Sequence, residues 1–430
     1  MTKPDTLCMA PWVHTYLSPQ TERRMCCASR EPAQNFQQYI DTESGTGKYI
    51  PISLDQHWNS EHMRSVRRRM MAGETLVECE VCNNKLLNTA VYRSYFDHLF
   101  GHKYFQAMQS TDATGYTTMK PVSWDYRFSN LCNFKCRMCG DMLSSAWESE
   151  QRQHNMINWR DPKNNWMRPE IKEQIEQFQE GQIEAEFSKA VEDHRVEEVY
   201  WVGGEPLMYE QHWRYMTRII ELGDGPNVYA RYNTNLSRID YKGLNLYRDI
   251  LTRIRDWQVC ASLDGTGKIG EYIRTGLDYN QWLENFRAGN AYRRYSRQQR
   301  IDFTLTLPGM FEVTKIAELA RQEEVEILAK VIFSFSPDIV MSPLALPREI
   351  LHPWIDEIIP AVGGALKDIL VQLKTRPTFE EQWPNIYTQS IVKGKRRILE
   401  LEKIRTQSIT MADILSGRPE VLKWWNQIDV

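Results

Sequence analysis

Cys132-Asn133-Phe134-Lys135-Cys136-Arg137-Met138-Cys139 is the most informative stretch of this 430-residue chain. It closely follows Trp124–Phe128, a short, mostly apolar run that predicts a buried β-strand, so the three cysteines lie on the loop at the carboxyl end of that strand. Three thiolates within eight residues can hold three irons of a [4Fe–4S] cluster and leave the fourth iron open to a ligand. A structural zinc site with a fourth ligand from elsewhere in the chain is the alternative.

After this loop, short apolar or β-branched runs alternate with longer amphipathic stretches. Further strands are predicted at Glu198–Val202, Val228–Asn233, Gln258–Leu263, Ile301–Leu307 and Lys330–Phe335. Helices are predicted between several of them, for example at Trp213–Leu222 and Lys315–Leu328. Such alternation favours an α/β fold with a parallel sheet and helical crossovers. Six strand–helix units predict a partial (β/α)6 TIM-like barrel rather than a complete eight-unit barrel.

The regions on either side of the predicted barrel differ from it. Five of the nine cysteines lie within residues 1–115, and a polar segment at about 147–195 predicts a helical insertion after the first strand. After about Pro343, helical patterns such as Pro353–Leu373 and Tyr387–Arg405 replace the strands. We therefore expect a small N-terminal domain at 1–115, the barrel at 116–342 and a helical C-terminal extension at 343–430.

The composition narrows the class of protein. A formal net charge of −3 gives no general reason to expect a nucleic-acid partner or an anionic membrane. No apolar run approaches the roughly 20 residues that a membrane helix needs, and the first residues lack the apolar core of a signal peptide. A cytoplasmic location is expected. In a reducing compartment, clustered cysteines indicate metal ligands rather than structural disulfides.

Polar motifs also follow the next three predicted strands: Gly203-Gly204-Glu205-Pro206, Asn233-Thr234-Asn235 and Ser262-Leu263-Asp264-Gly265. Loops at the carboxyl ends of barrel strands gather around one mouth, where active sites lie. Each motif alone could be a simple turn. Together with the cysteine loop, they predict a single site.

These motifs resemble the radical S-adenosylmethionine (SAM) superfamily, whose signature is a three-cysteine loop of this spacing followed by a GGE-type motif at the next strand end. The resemblance spans roughly residues 122–335 and implies that Cys132, Cys136 and Cys139 ligate a [4Fe–4S] cluster. It implies that SAM binds the open iron through its amino and carboxylate groups. It further implies that Phe134 lies near the adenine of SAM, and that Gly203 and Gly204 let the backbone approach the methionine part. Glu205 or the adjoining carbonyls would contact the ammonium group. The ribose hydroxyls and the carboxylate would be contacted by Asn235 and Ser262, and the carboxylate also by Arg274.

The activity implied by this resemblance is reductive cleavage of SAM to methionine and a 5′-deoxyadenosyl radical, which abstracts a hydrogen atom from the substrate. The chain is expected to be an enzyme that modifies a peptide or protein side chain in this way. A radical SAM oxidoreductase or carbon-skeleton enzyme acting on a small metabolite, such as a sugar, nucleotide or amino acid, is the alternative. A reductant such as flavodoxin or ferredoxin is the expected protein partner.

A second candidate metal site lies near the N-terminus and comprises Cys8, Cys26, Cys27, Cys79 and Cys82. Their spacing alone favours structural zinc. The surrounding residues resemble SPASM and Twitch auxiliary-cluster domains, notably in Cys8-Met9-Ala10-Pro11-Trp12 and the run His57-Trp58-Asn59-Ser60. This resemblance implies a Twitch-like module with one auxiliary [4Fe–4S] cluster, held by Cys8, Cys79, Cys82 and either Cys26 or Cys27; zinc is the alternative. Cys260, inside an apolar strand, is expected to be a core thiol.

Overall fold

The computed structural model describes residues 3–30, 49–83 and 91–430. These residues form two compact units. The first unit comprises the described residues up to Cys132 together with 141–232 and 241–257. The second comprises 133–140, 233–240 and 258–430, so the cysteine loop passes from one unit to the other directly after its first cysteine.

The first unit is built on a mostly parallel sheet. Its strands are β1 (His14–Leu17), β2 (Arg23–Arg24), β3 (Ser123–Tyr126), β4 (Glu198–Trp201) and β5 (Tyr229–Thr234), whose last two residues belong to the second unit. The order is β2-β1-β3-β4-β5, and β2 alone among these pairs is antiparallel. Two short strands follow, β6 (Asp240–Tyr241) and β7 (Leu244–Asn245).

Ten helices of the described residues belong to the first unit. They are α1 (Ala10–Val13), α2 (Leu54–Trp58), α3 (Glu61–Met71), α4 (Glu80–Asn83), α5 (Val91–Phe100), α6 (Tyr104–Gln109), α7 (Ser145–Gln153), α8 (Pro169–Phe178), α9 (Glu184–Glu192) and α10 (Glu210–Glu221). Helix α9 places Phe187 within 5.4 Å of Trp124 and 6.0 Å of Trp201, measured between ring centroids. Burying these large rings stabilises the contact between the helix and one face of the sheet.

The second unit has a parallel strand set followed by helices. Its strands are β8 (Asp256–Ser262), which begins in the first unit, β9 (Gln299–Leu305) and β10 (Glu326–Val331). Its helices are α11 (Gly267–Ile273), α12 (Tyr279–Asn290), α13 (Val313–Gln322), α14 (Arg348–Ile358), α15 (Gly364–Thr375), α16 (Phe379–Gln382), α17 (Tyr387–Arg405), α18 (Met411–Leu415) and α19 (Pro419–Gln427). No helix of the described residues has the length and apolarity required to cross a membrane.

The structure confirms six predicted strands, with shifted ends, and the helical character of 147–195 and of the C-terminal region. The helix predicted at Lys315–Leu328 ends earlier, at Gln322, because Glu324 takes a positive φ of 52° that stops the helix. The chain then begins β10 at Glu326, which pairs with Arg300, so this strand starts four residues before its predicted position. The fold is therefore mixed α/β with mostly parallel strands; the barrel closure and the three-domain division remain predictions.

Two further differences concern the chain ends. The helix predicted at Pro353–Leu373 is two helices, α14 and α15, because Pro360 and the pair Gly363-Gly364 interrupt it. Near the N-terminus, β1 was not predicted, and it pairs in parallel with β3, with His14 opposite Ser123. The segment expected to form a separate small domain thus contributes strands to the sheet of the first unit.

Candidate cluster-binding sites

The second part of the cysteine loop is fixed by backbone hydrogen bonds within the second unit. Lys135 N–H donates to the Thr275 carbonyl at 2.7 Å, and Arg137 N–H donates to the Ile273 carbonyl at 2.8 Å. Gly276 permits this close approach, because a Cβ there would lie 2.8 Å from the Phe134 ring and its φ of +112° is a glycine conformation. The loop therefore presents its cysteines from a defined backbone rather than from a free segment.

Cys136 is buried, at 8% exposure, beside a buried ion pair. Nη1 of Arg274 donates to the Cys136 sulfur at 3.9 Å, and Nε of Arg274 forms an ion pair with Oδ2 of Asp264 at 2.6 Å. Burial raises the pKa of the Cys136 thiol, and the charge of Arg274 opposes that increase. Arg274 therefore favours the thiolate, which is the form that binds a metal. Its expected contact with a SAM carboxylate stays a prediction.

Other predicted contacts in the second unit lie around the same loop or on the strands. Nδ2 of Asn235 donates to Oδ1 of Asn133 at 2.9 Å, which attaches the end of β5 to the cysteine loop. Phe134 is buried, at 1% exposure. Ser262 is half-buried at the end of β8, where it pairs in register with Asp302 of β9.

Asp302 is a charged group that our sequence reasoning missed. Its two oxygens both lie 2.8 Å from the Lys330 ammonium, and Oδ2 accepts a hydrogen bond from Asn233 at 2.6 Å. Asp264 belongs to the predicted polar motif Ser262-Leu263-Asp264-Gly265, but its ion pair with Arg274 was not predicted. The sequence did contain a signal for Asp302, because a charged side chain inside a mostly apolar strand needs a partner.

In the first unit, Gly203 and Gly204 bring the β4 end against the residues that precede Cys132. A Cβ on Gly204 would lie 2.2 Å from the Leu131 carbonyl oxygen. Glu205 N–H donates to that oxygen at 2.7 Å, and Gly204 N–H donates to the Tyr209 hydroxyl at 2.8 Å. The glycines are therefore required by packing inside the chain.

Glu205 and Cys132 are both held locally. Glu205 is buried, at 1% exposure, and its Oε1 accepts from Leu207 N–H at 3.0 Å. Cys132 N–H donates to the Ser145 hydroxyl at 3.1 Å, so α7 anchors the first cysteine of the loop. The expected contacts of Gly203, Gly204 and Glu205 with SAM stay predictions.

Three of the five N-terminal cysteines share one buried cluster. Cys8, Cys26 and Cys79 belong to one buried cluster of the first unit. Burial raises the pKa of the Cys8 thiol, and the nearby Cys79 and Cys82 raise it further. Burial also raises the pKa of Cys26, with contributions from Cys27, Cys8 and Cys79, and that of Cys79 to about 11. These mutual effects indicate that Cys8 lies near Cys26, Cys79 and Cys82, and that Cys27 lies near Cys26.

Cys27 lies in different surroundings. Burial and then Asp125 raise the pKa of its thiol, whereas Arg127 and a hydrogen bond with Tyr92 lower it. Cys27, like Cys82, is only partly buried and lies outside the buried cluster that contains Cys8, Cys26 and Cys79. The choice between Cys26 and Cys27 as the fourth ligand stays a prediction.

The thiols provide suitable donor chemistry for both proposed clusters. All nine cysteines are free of disulfide bonds, and thiolates are the usual protein ligands of iron–sulfur clusters and a common ligand of zinc. Within residues 3–30, 49–83 and 91–430, no three His, Cys, Asp or Glu side chains are arranged closely enough to hold a metal ion. The fit therefore rests on the identity and surroundings of the donors.

Comparisons with known proteins give distant structural similarities. No family model and no curated protein matches the chain. Among solved structures, it is similar to Streptococcus suis SuiB bound to S-adenosylmethionine, with 13% identity and a TM-score of 0.33 over 66% of this chain and 62% of SuiB. It is also similar to TYW1 with a lysine–pyruvate adduct bound, with 15% identity and a TM-score of 0.29 over 59% of this chain and 71% of TYW1. The chain thus spans less than two thirds of SuiB, and its function has to be argued from its own residues.

Proposed function

We propose that this chain is a radical SAM enzyme. The observation that carries the proposal is the cysteine loop. Its backbone is hydrogen-bonded to the carbonyls of Ile273 and Thr275, and its buried Cys136 lies beside Arg274. Cys132, Cys136 and Cys139 would hold a [4Fe–4S] cluster and leave one iron for SAM. The chemistry supplied when both groups are bound is one-electron reductive cleavage of SAM, which yields a 5′-deoxyadenosyl radical able to abstract a hydrogen atom from the substrate.

The chain's own residues prepare the thiols for this role. Arg274 lowers the cost of the Cys136 thiolate in a site where burial alone would favour the neutral thiol. Asp264 in turn orients Arg274 through the 2.6 Å ion pair. Asn235 and Asn133 connect the loop to the end of β5 through their side-chain amides. These contacts support a loop that is ordered before the cluster binds.

The N-terminal cysteines are proposed to hold one auxiliary [4Fe–4S] cluster through Cys8, Cys26, Cys79 and Cys82, in a Twitch-like arrangement. Cys8, Cys26 and Cys79 lie in one buried cluster, and Cys82 affects the pKa of Cys8; both observations support this ligand set. Zinc is the alternative, and elemental analysis of the purified protein distinguishes the two. About eight irons per chain, with an equal amount of sulfide, would support two clusters. One zinc and about four irons per chain would indicate a zinc site in place of the auxiliary cluster.

The proposed activity is tested by SAM cleavage. Protein reconstituted without oxygen is incubated with SAM and dithionite, and in parallel with reduced flavodoxin or ferredoxin, and 5′-deoxyadenosine is measured by mass spectrometry. The wild type and Cys260→Ala, which alters a buried thiol outside the loop, should form the nucleoside, whereas Cys136→Ala should not. Equal formation by Cys136→Ala, or absence of SAM binding to the iron-loaded wild type, would contradict the proposal.

The proposed substrate is a peptide or protein side chain, and a small metabolite is the alternative. A cell extract is separated by ultrafiltration, and each fraction is added to the SAM cleavage reaction. Stimulation of 5′-deoxyadenosine formation by the large-molecule fraction, lost after peptidase treatment, supports the peptide substrate. Stimulation confined to the peptidase-resistant small-molecule fraction would establish the metabolite alternative instead.

A further inference from the structure

One face of the sheet in the first unit is polar. Residues alternate along each strand, and the pairing places Tyr16 opposite Asp125 and Tyr200 opposite Arg231. The same face therefore carries His14, Tyr16, Ser123, Asp125, Glu198, Tyr200, Tyr229 and Arg231. The opposite face carries large aromatic and apolar side chains, among them Trp124, Tyr126, Val199, Trp201 and Tyr232. We call the face that carries His14, Asp125, Glu198 and Arg231 the polar face.

Arg231 lies on β5, beside two aromatic rings. Its guanidinium carbon is 3.7 Å from the Tyr200 ring centroid and 4.2 Å from the Tyr95 ring centroid. Stacking of this kind holds a guanidinium by its flat surfaces and leaves the N–H groups at its edge available for hydrogen bonds. Arg231 and Tyr200 both keep partial solvent exposure, although Nε of Arg231 is buried.

The carboxylates of the polar face are engaged with other groups. Asp125 accepts from Nε of Arg127 at 3.2 Å. Glu198 accepts from the Tyr95 hydroxyl at 2.7 Å and from the Ser123 hydroxyl. Among the ion pairs of the described residues, none includes Arg231, and its buried Nε has no hydrogen-bond acceptor there. The negative charge of Glu198 acts on Arg231, but no ion pair or hydrogen bond of the described residues uses the guanidinium N–H groups of Arg231.

We propose that Arg231 binds a carboxylate of the substrate on the polar face, with the rings of Tyr200 and Tyr95 beside it. The N–H groups of a guanidinium match the two oxygens of a carboxylate, and such charge-assisted hydrogen bonds are stronger than neutral ones. Phosphate shares this oxyanion chemistry. A carboxylate fits better because its single negative charge and two oxygens would supply the direct ion pair that Arg231 does not form with the described residues of this face. This inference rests on the proposed function in that the ligand is the substrate.

The binding test uses simple probes and needs neither SAM nor a reductant. Benzoate, the neutral amide benzamide and the dianion phenyl phosphate are titrated into the reconstituted protein and followed by saturation-transfer NMR. Benzoate should bind at least about tenfold more tightly than benzamide. Arg231→Gln should weaken benzoate by a similar factor. Arg218→Gln, which alters an exposed arginine paired with Glu192, should leave binding unchanged.

A second measurement avoids dependence on a variant that could misfold. Phenylglyoxal modification of arginines in the wild type is mapped by mass spectrometry, and benzoate, but not benzamide, should slow modification of Arg231. Equal binding of benzoate and benzamide, or unprotected modification of Arg231 in saturating benzoate, would overturn the proposal. Tighter binding of phenyl phosphate would assign the face to phosphate instead. SAM cleavage without benzoate binding defeats this inference alone, whereas benzoate binding without SAM cleavage defeats the proposed function alone.

Discussion

The ion pair between Asp264 and Arg274 offers a sharp test of how the candidate site is held together. Asp264 is fully buried, and the Arg274 side chain is 11% exposed. The other carboxylate oxygen of Asp264 accepts from Thr304 N–H at 2.7 Å. The change Asp264→Asn keeps the shape and an acceptor for Thr304 but removes the charge that compensates Arg274.

The expected magnitude follows from the cost of an uncompensated buried charge. Removing one partner of a buried ion pair destabilises a protein by about 3–5 kcal/mol, and we expect a loss of that size for Asp264→Asn. The loss for Arg274→Gln should be smaller, because burial already raises the pKa of Asp264 and the carboxyl group can take up a proton. A folded-state pKa above the unfolded value gives stability at low pH that is lost as the pH rises through it. The deficit of Arg274→Gln should therefore grow from acidic to neutral pH.

The assay is urea-induced unfolding at two pH values, followed by far-UV circular dichroism. The double variant Asp264→Asn with Arg274→Gln should lose less free energy of unfolding than the two single variants combined, by about 1.5 kcal/mol or more. The exposed pair of Arg321 and Glu318 supplies the control, and Arg321→Gln should leave the midpoint unchanged. Additive losses in the double variant would refute the claim that these two charges compensate each other.

Three further results are expected. Cys26→Ser should lower the iron content of the reconstituted protein by about four per chain while Cys27→Ser retains it; equal losses would contradict the ligand assignment. Burial lowers the pKa of His212 to about 3, so at pH 4.5 its protonation in the unfolded state alone lowers the free energy of unfolding by roughly 2.7 kcal/mol. His212→Phe should therefore lose less stability between pH 6.5 and 4.5 than the wild type does. An equal loss of stability in the variant and the wild type would count against this. A Cβ on Gly204 would meet a backbone oxygen at 2.2 Å, so Gly204→Ala should lower the thermal midpoint, whereas Gly101→Ala, with open space around its Cβ, should not.

Much of the strand pattern could be predicted because buried strands and amphipathic helices leave short-range signatures. Strand β1 could not, since its four residues depend on pairing with β3, more than a hundred positions away. Its burial comes entirely from that partner and its neighbours. Local sequence carries no information about which distant strand a short segment will join.

The candidate cysteine loop could be found in the sequence because its three cysteines are close together. The different surroundings of Cys26 and Cys27 could not be predicted, because adjacent residues share the same local sequence and differ only in the direction of their side chains. That direction places Cys26 in the buried cluster with Cys8 and leaves Cys27 near Arg127 and Tyr92. Similarly, Asp264 and Arg274 are ten positions apart, and only the folded chain brings them to 2.6 Å.

The polar face follows from a pattern that was visible in the sequence but was interpreted only as strand propensity. Parallel strands covered on both faces are usually continuous apolar runs, whereas Ser123-Trp124-Asp125-Tyr126-Arg127 and Tyr229-Ala230-Arg231-Tyr232 alternate between the two kinds of side chain. A charge held inside a protein costs free energy unless a partner compensates it. Asp125 and Arg127 compensate each other in an ion pair, whereas Arg231 lies over two rings and interacts with the charge of Glu198 without forming an ion pair among the described residues. A ligand carboxylate would add that direct ion pair, so Arg231 would contribute binding energy to the occupied site.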